Sequence, residues 1–126
     1  MSYLQFIKMA VRIDPSTVVF MECDIADLAR NGMFRFDTVA HNCNRLAQIA
    51  TIHDIPHIAT KQVKFGEICP EIKHGPKTIF PAAKKTFTMC NEEVQGHLDR
   101  IGRKQAVLYG IEAHICIRAT ALDLIN

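Results

Sequence analysis

Thr17-Val18-Val19-Phe20-Met21 runs directly into Glu22-Cys23-Asp24, and this stretch decides the fold. Its apolar and β-branched positions follow one another without alternation. A strand with one face in water would alternate, so the run suits a strand covered on both faces. The turn-like Asp14-Pro15-Ser16 opens it and the polar Glu22-Cys23-Asp24 closes it. Just beyond, residues 37–52 carry Val39, Cys43, Leu46, Ala47 and Ala50 at helical spacing. Asp37 is suited to the N-cap, and Arg45 and Gln48 face outward. Ile55-Pro56-His57-Ile58-Ala59-Thr60 then reads as a short strand, with proline near its start where a missing N–H does least harm. The order is β-α-β.

The second half repeats the alternation. Residues 62–81 hold Gly66, Pro70, Gly75, Pro76 and Pro81 without sustained periodicity and read as a long functional loop. Asn91 caps a helix whose first turn carries Glu92 and Glu93, whose apolar face is Val94, Leu98 and Ile101, and which Gly102 stops. Ala106-Val107-Leu108-Tyr109 is another strand, closed by Gly110, and helical spacing resumes over residues 117–125. The pattern predicts a three-layer α/β fold with a mainly parallel sheet and helices on both faces. With neither repeats nor low-complexity segments, residues 1–126 are expected to form one domain. The chain stops inside its last helical pattern without a C-cap, so the sheet is expected to be C-terminally incomplete.

Composition narrows the functional classes. A chain of 126 residues, 48% hydrophobic and 22% charged, can bury a real core. Fifteen basic against 13 acidic residues leave a formal charge of +2 with no long basic face, so no nucleic-acid partner is expected. No run reaches the roughly 18 apolar residues of a membrane span. The apolar residues 4–11 are short, broken by Lys8 and followed by no small-residue cleavage site, which makes a poor signal peptide. The five cysteines are odd in number and widely spaced, without a C-x-x-C pair. A reducing compartment, the cytoplasm or an organelle interior, fits best.

Open α/β sheets bind ligands beyond the carboxyl ends of their strands, so polar residues that follow buried strands are the first candidates. Asp24 follows the first strand, Lys84-Lys85 follow the long loop, and Cys116 sits at the entry of the last helix. A thiol there would feel the positive end of the helix dipole, which lowers its pKa. Asp24 would accept its proton, Lys84 would hold the resulting anion or orient the carboxylate, and backbone amides of the same turn would meet an oxyanion.

Gly110-Ile111-Glu112-Ala113-His114-Ile115-Cys116-Ile117, followed by Thr120-Ala121-Leu122-Asp123-Leu124, resembles the nucleophile segment of the isochorismatase-like hydrolases. The stretch from Asp14-Pro15 to Cys23-Asp24 is similar to that family's first strand and catalytic aspartate, and Lys84-Lys85-Thr86-Phe87-Thr88-Met89 to its catalytic-lysine segment. The three motifs stand in the family's order and cover essentially the whole chain, with the nearest likeness to the eukaryotic isochorismatase domain-containing proteins. The resemblance implies a Rossmann-like hydrolase fold, with Asp24 as general base, Lys84 as its partner, Lys85 as the second choice of lysine, and Cys116 as nucleophile. It also implies a cis peptide between Ile111 and Glu112 that aims backbone amides at the oxyanion together with Cys116. The expected substrate is a small amide, imide or related acyl compound.

Departures from the family's pattern carry their own expectations. Members that cleave isochorismate tend to lack the cysteine, so Cys116 speaks against that substrate. His53, Asp54 and His57 lack the metal motif of nicotinamidase-type members, so neither a catalytic metal nor another cofactor is expected. Ala26 stands where the family often has glutamine, and the family's C-terminal β-α units are absent from the sequence.

Cys23 is expected to point away from Asp24 into the core, and Cys43, Cys69 and Cys90 to be core or loop thiols. His41, His53, His57, His74 and His97 read as surface or edge residues. His114 is expected not to face Cys116 and to be structural or substrate-lining instead. Phe34, Phe36 and Phe65 would line the pocket or form satellite core, and loops 26–36 and 62–81 would wall it. Exposed apolar surface at an open sheet edge would favour a homo-oligomer. Two readings stand beside the hydrolase: a catalytically silent interaction or oligomerisation module, and a redox-sensing thiol at Cys116.

Overall fold

The computed structural model describes residues 11–126, so most of the apolar 4–11 stretch lies outside the described residues. Strand β1 (Val18–Cys23) is buried along its whole length, as its unbroken apolar run requires. It forms the centre of a three-stranded sheet between β2 (His57–Thr60) and β3 (Gln105–Gly110), both parallel to it. Phe20 lies opposite His57 and Val107, and Cys23 opposite Thr60 and Gly110. β3 has no second partner among the described residues and is only partly buried.

The two sides of β1 feed two cores. Val18 and Phe20 pack with Phe36, Ala40, Cys43, Ala47 and Ala50 on helix α1 (Phe36–Ile52), whose buried positions recur every three or four residues. Val19, Met21 and Cys23 pack with Val94 of helix α2 (Glu92–Ile101) and with Cys116 and Leu124 near the C-terminus. There a π-helical turn, Ala113–Ile117, leads into helix α3 (Arg118–Ile125). These are the three layers read from the sequence.

Local chemistry explains most boundaries. The Asn91 side chain accepts the Val94 N–H at 2.9 Å, and Gly102 ends α2 at φ 66°, where a Cβ would be strained. Helix α1 departs from expectation: its N-cap is Arg35, at φ 54°, and Asp37 stands in the first turn. Arg35 makes no side-chain cap. Asp37 instead pairs with Arg30, which also reaches Asp27 and Glu71 and stacks over the Phe36 ring at 4.9 Å. The long loop is stitched down by backbone bonds: Asp27 to Glu67, Cys69 to Ile25, and Ala59 and His57 to Ile79. None of the described helices is long and apolar enough to cross a membrane.

Candidate functional site

Asp24 leaves β1 with φ 50°, in the left-handed region that aspartate tolerates better than most residues. Its N–H bonds the Thr60 carbonyl at 3.1 Å, and its Oδ1 accepts the Thr60 hydroxyl at 2.8 Å. This turn breaks the strand alternation. Cys23 therefore does not point away from Asp24 as expected: its Sγ lies 3.6 Å from Asp24 Oδ2, inside the site. Burial and the Asp24 charge raise the Cys23 thiol far above its ordinary pKa, so it is a poor nucleophile.

Lys84 is set by the sheet. Its N–H donates to the Lys61 carbonyl and its own carbonyl accepts from Val63, an extension of β2 that directs the side chain beneath Asp24. The ammonium is 2.6 Å from Asp24 Oδ2 and also donates to Gln62 Oε1, Thr86 O at 2.8 Å and Phe87 O at 2.9 Å. Its side chain is 0% exposed. The neighbouring Lys85 is exposed, as alternation along an extended segment requires. The pair is thus fully satisfied, and removing either partner would strand a buried charge.

Cys116 comes to the same point from the opposite end of the sequence. Its Sγ, the Cys23 Sγ and an Asp24 carboxylate oxygen all lie within 4.8 Å of one another. These atoms are close enough to hold a metal ion, yet the ammonium already beside Asp24 would repel one. The Thr120 hydroxyl donates to the Cys116 carbonyl at 2.7 Å and accepts the Met89 N–H at 2.9 Å, tying the turn that carries Cys116 to the segment that carries Lys84. Gly110 permits the approach: a Cβ there would meet the Cys23 carbonyl oxygen at 2.4 Å.

Two expectations about this turn are corrected. No peptide bond among the described residues is cis, so Ile111 and Glu112 are joined in trans. The reversal is made by Glu112, at φ −120° and ψ 74°, and by the π turn, whose Ile115 and Ile117 amides both bond the Glu112 carbonyl at 3.2 Å. A non-proline cis bond, costing about 3–4 kcal/mol, is not needed there. The Cys116 thiol is also raised rather than lowered in pKa. Burial pushes it up, Lys84 pulls it down, and Asp24 and Glu112 push it up again. Cys116 sits inside the turn rather than at its first residue, so the dipole does not dominate.

A cavity of about 750 Å³ opens onto these groups. Its walls come from both expected loops, with Leu28, Met33 and Phe34 from one and Phe65 from the other, and Phe87 from the lysine segment. Phe36 is core instead. His114 is exposed and is not among the residues that line the cavity, so it is not the substrate-lining residue expected. Thr60 and Gln62 complete the site and were not singled out from sequence; Glu112 was expected there for its backbone, and its side chain also lines the cavity. Thr60 and Gln62 stand at the carboxyl end of β2, the position that could have found them.

A second buried polar cluster was also missed. Glu22 is 0% exposed and accepts the Tyr109 hydroxyl at 3.0 Å; its other oxygen is 3.0 Å from His74 Nε2. His57 Nε2 lies 2.6 Å from the Tyr109 oxygen and 3.4 Å from Glu22. His57 is buried and His74 half-buried, so neither is the surface residue expected: the Glu22 carboxylate draws both inward. Burial pushes the Glu22 pKa up, but the hydrogen bonds from His57 and His74 outweigh it and hold the carboxyl below its usual range.

The match to known proteins follows this geometry. The isochorismatase domain model matches residues 9–126. Isochorismatase domain-containing protein 2 of Danio rerio is 37% identical over 118 residues, covering 91% of this chain and 59% of that protein. The solved structure of MAR1 ribonuclease from Caenorhabditis elegans is 29% identical with a TM-score of 0.81, covering 91% of this chain and 60% of that one. An octameric hydrolase of unknown specificity from Escherichia coli aligns with a TM-score of 0.72 at 19% identity, covering 92% and 60%. The chain therefore spans about three-fifths of the length of these relatives.

Proposed function

The chain belongs to the isochorismatase family, and on that premise we propose that it is a cysteine hydrolase of small amides, imides or related acyl compounds. One observation carries the reading: a thiol and a lysine-paired carboxylate meet at the floor of a 750 Å³ cavity. Asp24 takes the Cys116 proton as sulfur attacks the substrate carbonyl, and it returns that proton to the leaving nitrogen. Water, deprotonated by Asp24, then attacks the thioester, the acid leaves, and the thiol is restored. Because the resting thiol is raised in pKa, proton transfer accompanies attack instead of preceding it. Backbone amides of the turn from Ile111 and Glu112 to Cys116 hold the oxyanion. Lys84 holds the Asp24 carboxylate in place through their 2.6 Å contact and is a positioning residue.

A ribonuclease activity, which the nematode relative carries in its name, finds less support in this site. A phosphodiester calls for cations, and this cavity offers Lys64 at its exposed rim, while Lys84 is sealed beneath Asp24 and does not line it. The octameric relative supports self-association of this chain, which sedimentation would test. The described cysteines are all free thiols, in keeping with a reducing compartment.

The test is incubation with a panel of small amides and imides, with hydroxylamine trapping and mass analysis of Cys116. The reading expects an acyl adduct on Cys116 that hydroxylamine releases as the hydroxamate, and turnover that Cys116→Ser loses. Turnover that survives Cys116→Ser would remove the thioester from the mechanism.

A further inference from the structure

The cavity carries a charge pattern that the hydrolase reading does not use. Its charged lining residues are Asp24, Lys64 and Glu112. Asp24 is neutralised by Lys84, whose ammonium is enclosed by four oxygens. Lys64 is exposed at the rim. Glu112 is half-buried, its Oε2 lies 3.9 Å from Cys116 Sγ, and no cation lies within ion-pair distance of it among the described residues. The reacting sulfur therefore has an uncompensated carboxylate beside it, while Phe34, Phe65 and Phe87 line the rest of the space.

We infer that Glu112 is the specificity-determining residue of this site: it selects apolar substrates bearing N–H donors or positive charge next to the scissile carbonyl, and it excludes carboxylates. The inference rests on the reading of Cys116 as the nucleophile. A negatively charged substrate would bring two like charges together in a partly desolvated space, while Lys84 is committed to Asp24 and Lys64 stands out at the exposed rim. An amide, ureide or ammonium group would instead satisfy an acceptor that otherwise has only a long thiol contact. A carboxylate that merely shaped the turn would affect every substrate alike, whereas a selecting carboxylate affects them according to charge.

Three methanethiosulfonates separate these cases: the neutral methyl, the cationic trimethylammonioethyl and the anionic sulfonatoethyl reagent. Each forms a mixed disulfide with Cys116 and releases methanesulfinate, and the second-order rate at Cys116, located by mass and divided by the same reagent's rate with a small free thiol, reads the field at the sulfur. The wild type is expected to prefer the cationic over the anionic reagent by about tenfold or more, the size of Coulomb terms at a few ångströms. Glu112→Gln should bring the two within about twofold of each other, and Glu112→Asp should retain most of the preference. The neutral reagent and circular dichroism report whether each variant keeps its fold. A wild type without charge preference, or a preference unchanged in Glu112→Gln, overturns the inference while leaving the nucleophile reading standing. Failure of all three reagents at Cys116 overturns both.

Discussion

Glu22 and Asp24 stand two residues apart at the end of the same strand, both buried, and they head two quite different polar clusters. Glu22 continues the pleat on the α1 side, where Tyr109, His57 and His74 satisfy it. Asp24 turns off the strand at positive φ, meets Lys84, Thr60 and two thiols, and looks into the 750 Å³ cavity. The first cluster satisfies a buried carboxylate. The second does so too, and adds thiols and an open cavity. Burial of a charge therefore does not by itself mark a site; access and a reacting partner do.

Four changes would break or sharpen this contrast. The largest effect is expected on turnover: Asp24→Asn should cost about 10²–10⁴ in kcat, the scale of general acid–base catalysis, whereas Glu22→Gln should change it only a few-fold. Steady-state kinetics on any amide found to turn over decides this. Next, Lys84→Met should destabilise the fold by about 3–5 kcal/mol in urea, because it strands the buried Asp24 charge. The double variant Asp24→Leu with Lys84→Met should recover much of that loss. Gly110→Ala should cost about 1–3 kcal/mol, since the new methyl meets the Cys23 carbonyl and pushes β3 from β1 just where Cys116 is aimed.

The smallest effect concerns pH. Glu22 has a folded pKa below its ordinary 4.5. Its contribution to stability is therefore complete above that value and is lost as pH falls through the folded pKa. Urea midpoints measured downward from about pH 5 should fall more steeply in the wild type than in Glu22→Gln, which should itself cost about 1–3 kcal/mol at neutral pH. Parallel curves would remove Glu22 from the acid response.

The fold was legible because β1 is apolar without a break and the helices repeat every three or four residues; these patterns report burial directly. That Asp24, Lys84 and Cys116 meet was legible because Asp24 follows a strand end, Cys116 stands at the entry of a helical pattern, and Lys84 lies in a recognisable motif. Cys23 was misread because alternation was carried one residue too far, past a strand that ends where Asp24 turns. His57 and His74 were misread because a lone histidine carries no sign of the buried carboxylate that draws it in. The raised pKa of Cys116 and the trans bond before Glu112 depend on how the turn is seated, which spacing along the chain does not encode.

The central claim is that Asp24 takes the proton from Cys116, and the most direct measurement is the rate of iodoacetamide alkylation of Cys116 across pH in the wild type and Asp24→Asn. The account predicts that near neutral pH the wild type reacts at least about tenfold faster than Asp24→Asn, as a general base requires. Glu22→Gln should follow the wild type. The opposite result is well defined, because the Asp24 charge alone raises the thiol pKa. If Asp24→Asn, shown to be folded, reacts as fast as the wild type or faster, Asp24 is only a neighbouring charge and the proposed mechanism is wrong.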